Sequence, residues 1–135
     1  MLYDAIIMSQ TVISVVDDMF FASKIRAVAE AAEVEISFPR SVEAVVSKAR
    51  ETKPGLIVVD LHNQRIDPVA LANALKADEE LREIRLLGFF SHVQTELQRN
   101  ALAAGFDQVI PRSMFARDLP KLLTADYTDT GAMTS

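Results

Sequence analysis

The sequence predicts an α/β protein: a three-layer sandwich in which a five-stranded parallel sheet lies between two layers of helices. Three observations predict it. Val12-Ile13-Ser14-Val15-Val16 and Leu56-Ile57-Val58-Val59 are short, β-branched runs of the kind that form strands buried on both faces of a parallel sheet. Each run stops on carboxylates, Asp17-Asp18 in the first case and Asp60 in the second. Segments of strand character then alternate five times with segments of helical period, a pattern that right-handed crossovers turn into a parallel sheet covered on both sides.

The first strand is the run before Asp17. From Met19 to about Ala32, Phe20, Ile25, Val28, Ala29 and Ala32 fall near helical spacing, which predicts a first helix with these residues on its apolar face. Val34-Glu35-Ile36-Ser37-Phe38 alternates as a half-buried strand, and Pro39 closes it. Ser41 is a natural N-cap for a second helix carrying Val42, Val45, Val46 and Ala49, which the breaker Lys53-Pro54-Gly55 ends before the third strand at Leu56. Asp67-Pro68 pairs a capping side chain with proline at the first helical position, and Val69, Leu71, Ala72 and Leu75 continue that helix. Ile84 to Phe90 reads as a fourth strand, Thr95 to Ala104 as a helix stopped by Gly105, Val109-Ile110 as a short fifth strand, and Phe115 to Leu123 as a last helix.

With 135 residues, half of them hydrophobic and 24% charged, the chain has the size and composition of one globular domain. Expected boundaries are an N-terminal extension over 1–10, the domain over 11–123, and a flexible tail or linker stub over 124–135, where small polar residues dominate. A net charge of −5 argues against a binder of nucleic-acid backbones. The absence of cysteine excludes disulfides and thiolate metal sites. Met1 to Met8 carries an acid and no base before a short apolar run, which fits no signal peptide, and no run approaches the ~20 apolar residues of a membrane helix. The expected location is the cytoplasm, with no membrane and no direct nucleic-acid partner.

Taken singly, Asp17 or Asp18 could cap the first helix, and Asp60 could simply end a strand. Together they suggest more, because strands one and three are neighbours in the flavodoxin-like order 2-1-3-4-5, and ligand sites in such sheets gather at the carboxyl ends of the strands. Three acids are then expected at one mouth, where they repel one another unless a cation neutralises them. Oxygen-only donors of this kind suit Mg²⁺. Ser91, after strand four, and Arg112, just after strand five, place a hydroxyl and a fixed cation at the same end, as a phosphoryl group's equatorial oxygens require.

On these residues the chain resembles the receiver domain of two-component response regulators, from about Thr11 to Leu123. The resemblance rests on Val15-Val16-Asp17-Asp18, on Leu56-Ile57-Val58-Val59-Asp60-Leu61, on Ser91 where the family has Thr or Ser, and on Ala103-Ala104-Gly105-Phe106-Asp107, similar to the family's Gly-Ala-Asp turn. It implies that Asp60 is a phosphoacceptor fed by a histidine kinase or phosphotransfer protein. It implies that Asp18, Asp17 mostly through water, Asp60 and the backbone carbonyl of His62 hold Mg²⁺, and that Ser91 and Arg112 contact the phosphoryl group. Such a chain is no enzyme with an external substrate; it is an acceptor with slow self-dephosphorylation that signals to an output protein. A homodimer through strand four, strand five and the last helix fits the same family.

Several positions depart from the family pattern. Arg112 replaces a nearly invariant Lys and Ser113 the proline after it, Val109 stands at the aromatic switch position, and His92 at a position that prefers a small residue. The stretch His62-Asn63-Gln64-Arg65-Ile66-Asp67-Pro68 shares little with the family's sequence there. These departures define an alternative, a pseudo-receiver that binds partners without phosphorylation. Other chemistries find less support. No Gly-x-Ser-x-Gly elbow accompanies Ser91-His92, and the four glycines form no phosphate-binding loop or dinucleotide fingerprint. His62 and His92 lack metal-ligand spacing, and Phe89, Phe90 and Phe106 are expected in the core rather than in a flavin platform. Met114, Phe115 and Leu119 are expected either to pack inward or to serve an interface, and the charged stretch from Lys76 to Arg85 to be a solvated loop.

Overall fold

Strand β3 (Leu56–Asp60) lies at the centre of the architecture because every one of its five residues is buried. In the computed structural model, which describes residues 10–124, β3 pairs in parallel with β1 (Gln10–Val15) on one side and β4 (Arg85–Phe90) on the other. The edge strands are β2 (Val34–Ser37), beside β1, and β5 (Gln108–Pro111), beside β4. The order is therefore β2-β1-β3-β4-β5, all parallel, as expected. Val12 is level with Leu56 and Val15 with Val59, so the Asp17-Asp18 pair leaves the sheet at the same end as Asp60.

Side-chain alternation along the strands creates two cores. Ile13, Val15, Ile57, Val59, Leu86 and Phe90 face one layer, made of α2 (Val42–Thr52), α3 (Pro68–Lys76) and α4 (Thr95–Ala104). Val12, Leu56, Val58, Leu87 and Phe89 face the other, made of α1 (Met19–Ala31), α5 (Arg112–Arg117) and α6 (Leu119–Thr124). In the second core Phe89 stacks on Phe115 at 4.6 Å between ring centroids and meets the edge of Phe21 at 5.4 Å. Phe89, Phe90 and Phe106 are core residues, as the sequence suggests.

The helices begin where their caps predict. Ser41 Oγ accepts the amide of Ala44 at 3.0 Å, and Asp67 Oδ1 accepts that of Val69 at 3.0 Å with Pro68 in the first turn. Lys53, at φ 50°, turns the chain out of α2. Gly105 ends α4 at φ 126°, where a Cβ would also lie 2.8 Å from the Lys76 side chain.

Two expectations are corrected. Phe20 is 91% exposed, and Phe21 takes the core position, because Phe21, Ile25 and Ala29 are the residues spaced four apart that form the buried stripe of α1. The single last helix is two short ones, α5 and α6, parted at Asp118. Pro120 explains the break: it has no N–H for the residue four earlier and is tolerated only in a first turn, which is where α6 places it. Phe115 and Leu119 pack inward, while Met114 is 37% exposed. In the charged stretch, Leu81 is buried and Asp78 is ion-paired to Arg50. The remaining limits shift by a residue or two, β5 running from Gln108 to Pro111. Residues 1–9 and 125–135 lie outside the described residues, as does most of the expected extension and tail; Gln10 belongs to β1 and Thr124 to α6. Among the described residues no helix is long and apolar enough to cross a membrane.

Candidate functional site

Asp60 ends β3 with only 8% of its surface exposed, and it is the one buried ionisable side chain among the described residues. Its Oδ1 accepts the backbone N–H of His62 at 2.9 Å. Burial pushes its carboxyl above the usual carboxylate range; the His62 amide and the charges of His62 and Arg112 oppose that rise, while the charge of Asp17 adds to it. The backbone carbonyl of Asp60 also accepts the Asn63 side-chain amide at 2.8 Å. Asn63 Oδ1 in turn accepts the amides of Arg65 at 3.0 Å and Ile66 at 2.7 Å, which shapes the loop after β3.

The two acids after β1 have separate duties. Asp17 Oδ2 accepts the backbone N–H of Gln64 at 2.9 Å and so ties the β1 exit to the β3 loop. Asp18 Oδ1 caps α1, accepting the amides of Phe20 at 3.0 Å and Phe21 at 3.2 Å, and its Oδ2 accepts Arg112 Nη2 at 3.4 Å. The Phe21 amide is the main reason its carboxyl lies below the usual range, with Phe20 and Arg112 helping. The guanidinium of Arg112 also lies 4.1 Å from the ring centroid of Phe21.

Ser91 follows β4 directly, is exposed, and lines a shallow depression with Phe20, Phe21, Lys24 and Arg112. Val109 packs against the α2, α3 and α4 core. The rings of His62 and His92 meet edge to face at 5.8 Å, with His62 Nε2 buried and without a hydrogen-bond partner.

The sequence places three acids together, and the structure divides them. Among the described residues no three His, Cys, Asp or Glu side chains gather as a metal cage. Asp18 is engaged by its helix and by Arg112, whereas Asp17 and Asp60 remain close enough for one charge to act on the other. Mg²⁺ needs one or two carboxylates, with waters and phosphate oxygens completing its shell. Asp17 and Asp60, whose charges act on one another, supply carboxylate oxygens of the kind that requirement names. The sequence reading missed Phe21, which carries Arg112, and the Asn63-Gln64 pair, which anchors the loop; the only advance signal for the latter was asparagine in a polar stretch between strand and helix.

No protein-family model matches the chain. The response regulator protein VraR of Staphylococcus aureus is 33% identical over 79 residues, a stretch that takes in 58% of this chain and 37% of that relative. The chain thus spans little more than a third of the length of the curated relatives it matches. Among solved structures, the chemotaxis response regulator CheY4 of Vibrio cholerae superposes with a TM-score of 0.72 at 15% identity, covering 85% of this chain and 96% of that one. The phosphorylated cyanobacterial phytochrome response regulator RcpA gives a TM-score of 0.71 at 15% identity over 86% and 89% of the two chains. The fold is that of the response-regulator receivers. Within the receiver fold, β3 ends on Asp60 and β1 runs into Asp17 and Asp18, where the resemblance in sequence places the family's acids. A further receiver neighbour, the response regulator Rcp1, was solved in an Mn²⁺-bound form, at a TM-score of 0.67 and 16% identity over 85% and 89% of the chains.

Proposed function

We propose that this chain is a receiver that accepts a phosphoryl group on Asp60, in a Mg²⁺-dependent relay from a histidine kinase or phosphotransfer protein. The observation that carries the reading is Asp60 itself, a buried carboxylate at the mouth of the central strand, oriented by the His62 amide. Burial of an unpaired carboxylate is costly, and a fold that retains one at a strand end gains a nucleophile that is poorly solvated and fixed in position.

In the transfer, a carboxylate oxygen of Asp60 attacks phosphorus and forms an acyl-phosphate O–P bond. The donor's P–N bond, in a phosphohistidine, breaks with its electron pair passing to the imidazole, which takes up a proton. Bound Mg²⁺ would neutralise charge on the phosphoryl oxygens. Asp17, Asp60 and the His62 carbonyl would hold it. Arg112, held between Asp18 and the Phe21 ring, supplies a fixed positive charge that already acts on Asp60. Ser91 offers a hydroxyl on the same side as Arg112.

The chain turns over no external substrate in this reading, and the change leaves through contacts with an output protein in the cytoplasm, with a homodimer through β4, β5 and the helices after them as one route. The pseudo-receiver reading accounts less well for Asp60, because binding without phosphorylation gives no reason to keep a carboxylate buried there. Incubation with acetyl phosphate and Mg²⁺, followed by intact-mass measurement, tests the proposal. A gain of one phosphoryl group that Asp60→Asn abolishes is expected; no gain, or the same gain in Asp60→Asn, would contradict it.

A further inference from the structure

Beside the acids, a cleft of about 280 Å³ opens between the start of α1, the end of β2 and the loop after β3. Three arginines line it from three different elements: Arg26 from α1, Arg40 from the β2–α2 connection, and Arg65 from the loop after β3. None has a carboxylate partner among the described residues; Arg26 instead lies over the Phe38 ring at 4.6 Å. In a chain of net charge −5, three guanidiniums that line one concavity with no carboxylate partner among the described residues form a local anion site.

The rest of the lining narrows the ligand. Val15, Val16, Phe38, Pro39 and Ile66 supply an apolar wall, so the ligand has a body as well as a charge. Asp17 stands in the same cleft and repels an anion placed next to it, while its carboxylate accepts a hydroxyl. The geometry points to a small phosphomonoester with a hydroxyl-bearing, planar body, of the class of a nucleoside monophosphate. Its phosphate would meet the guanidiniums of Arg40 and Arg65, its hydroxyls would turn toward Asp17, and its planar part would lie on the apolar wall beside Phe38, whose ring carries Arg26.

Such a ligand would also reach the acceptor site. Asp17 already joins the β1 exit to Gln64, and Arg65 is next in that loop, so occupancy of the cleft would hold the segment that follows Asp60. The binding itself does not depend on phosphorylation of Asp60, and the two ideas fail separately.

Adenosine 5′-monophosphate is the probe, titrated into the full chain and followed by amide NMR shifts. Saturable shifts are expected at Asp17, Phe38, Arg40 and Arg65, with adenosine and inorganic phosphate each weaker by about ten-fold or more. Arg40→Gln with Arg65→Gln should weaken the nucleotide by at least about ten-fold, through loss of charge-assisted hydrogen bonds at two exposed positions that the fold does not need. Asp60→Ala should leave it bound. Absence of saturable shifts, equal binding of adenosine, unchanged affinity in the double variant, or loss of binding in Asp60→Ala would each overturn the inference.

Discussion

Asp60 makes the protein pay at the residue scale for what it is proposed to do. In an unfolded chain its carboxyl titrates near 3.8, and in the fold it titrates higher because it is buried. Between those two values the folded state holds the proton more tightly, so the contribution of Asp60 to stability is fully present below 3.8 and is lost as the pH rises through the folded value. Asp60→Asn keeps the acceptor for the His62 amide and removes the buried charge. The variant should therefore melt above wild type at neutral pH, with the gap closing as the pH approaches 3.8; a gap that widens in acid would contradict the assignment. Gly88 is fixed by space: a Cβ there would lie 3.0 Å from Leu61 and 3.1 Å from Phe106. Gly88→Ala should cost roughly 1–3 kcal/mol in denaturant unfolding, since both neighbours are buried and have little room to move. This constraint was not legible in the sequence, where a glycine within an apolar run carries no sign of what it faces.

Helix boundaries were legible at the scale of elements, because capping is local chemistry. Ser41 and Asp67 start α2 and α3 as their sequence positions announce, and Ser41→Ala should cost about 1 kcal/mol, read as a lower unfolding midpoint with an unchanged slope. Local pattern failed where one residue decides the answer. Apolar spacing from Met19 put Phe20 on the buried face, whereas in the helix capped by Asp18 it is Phe21, in line with Ile25 and Ala29, that faces the sheet. Apolar period from Phe115 to Leu123 ran through Pro120 as if the helix were continuous, although proline required a new first turn there. Asp18 shows the same limit in the site. Its role as a cap was one of the readings open from sequence, but its bond to Arg112 joins residues 94 apart, and no local pattern contains it.

Across the whole molecule, strand order brings β1 and β3 side by side and thereby sets Asp17 near Asp60. That juxtaposition was legible because alternating strands and helices leave few topologies. The division of duties among the acids was not, since it depends on which backbone amides reach them. The central claim is that the carboxyl edge of this sheet is a working phosphoryl-acceptor site. Titrating beryllofluoride with Mg²⁺ into wild type and Asp60→Ala, followed by amide NMR shifts, tests it most directly. Saturable shifts around Asp17, Asp60, Ser91 and Arg112 in wild type, lost in the variant, are the predicted result; a folded wild-type spectrum that does not respond would contradict the account.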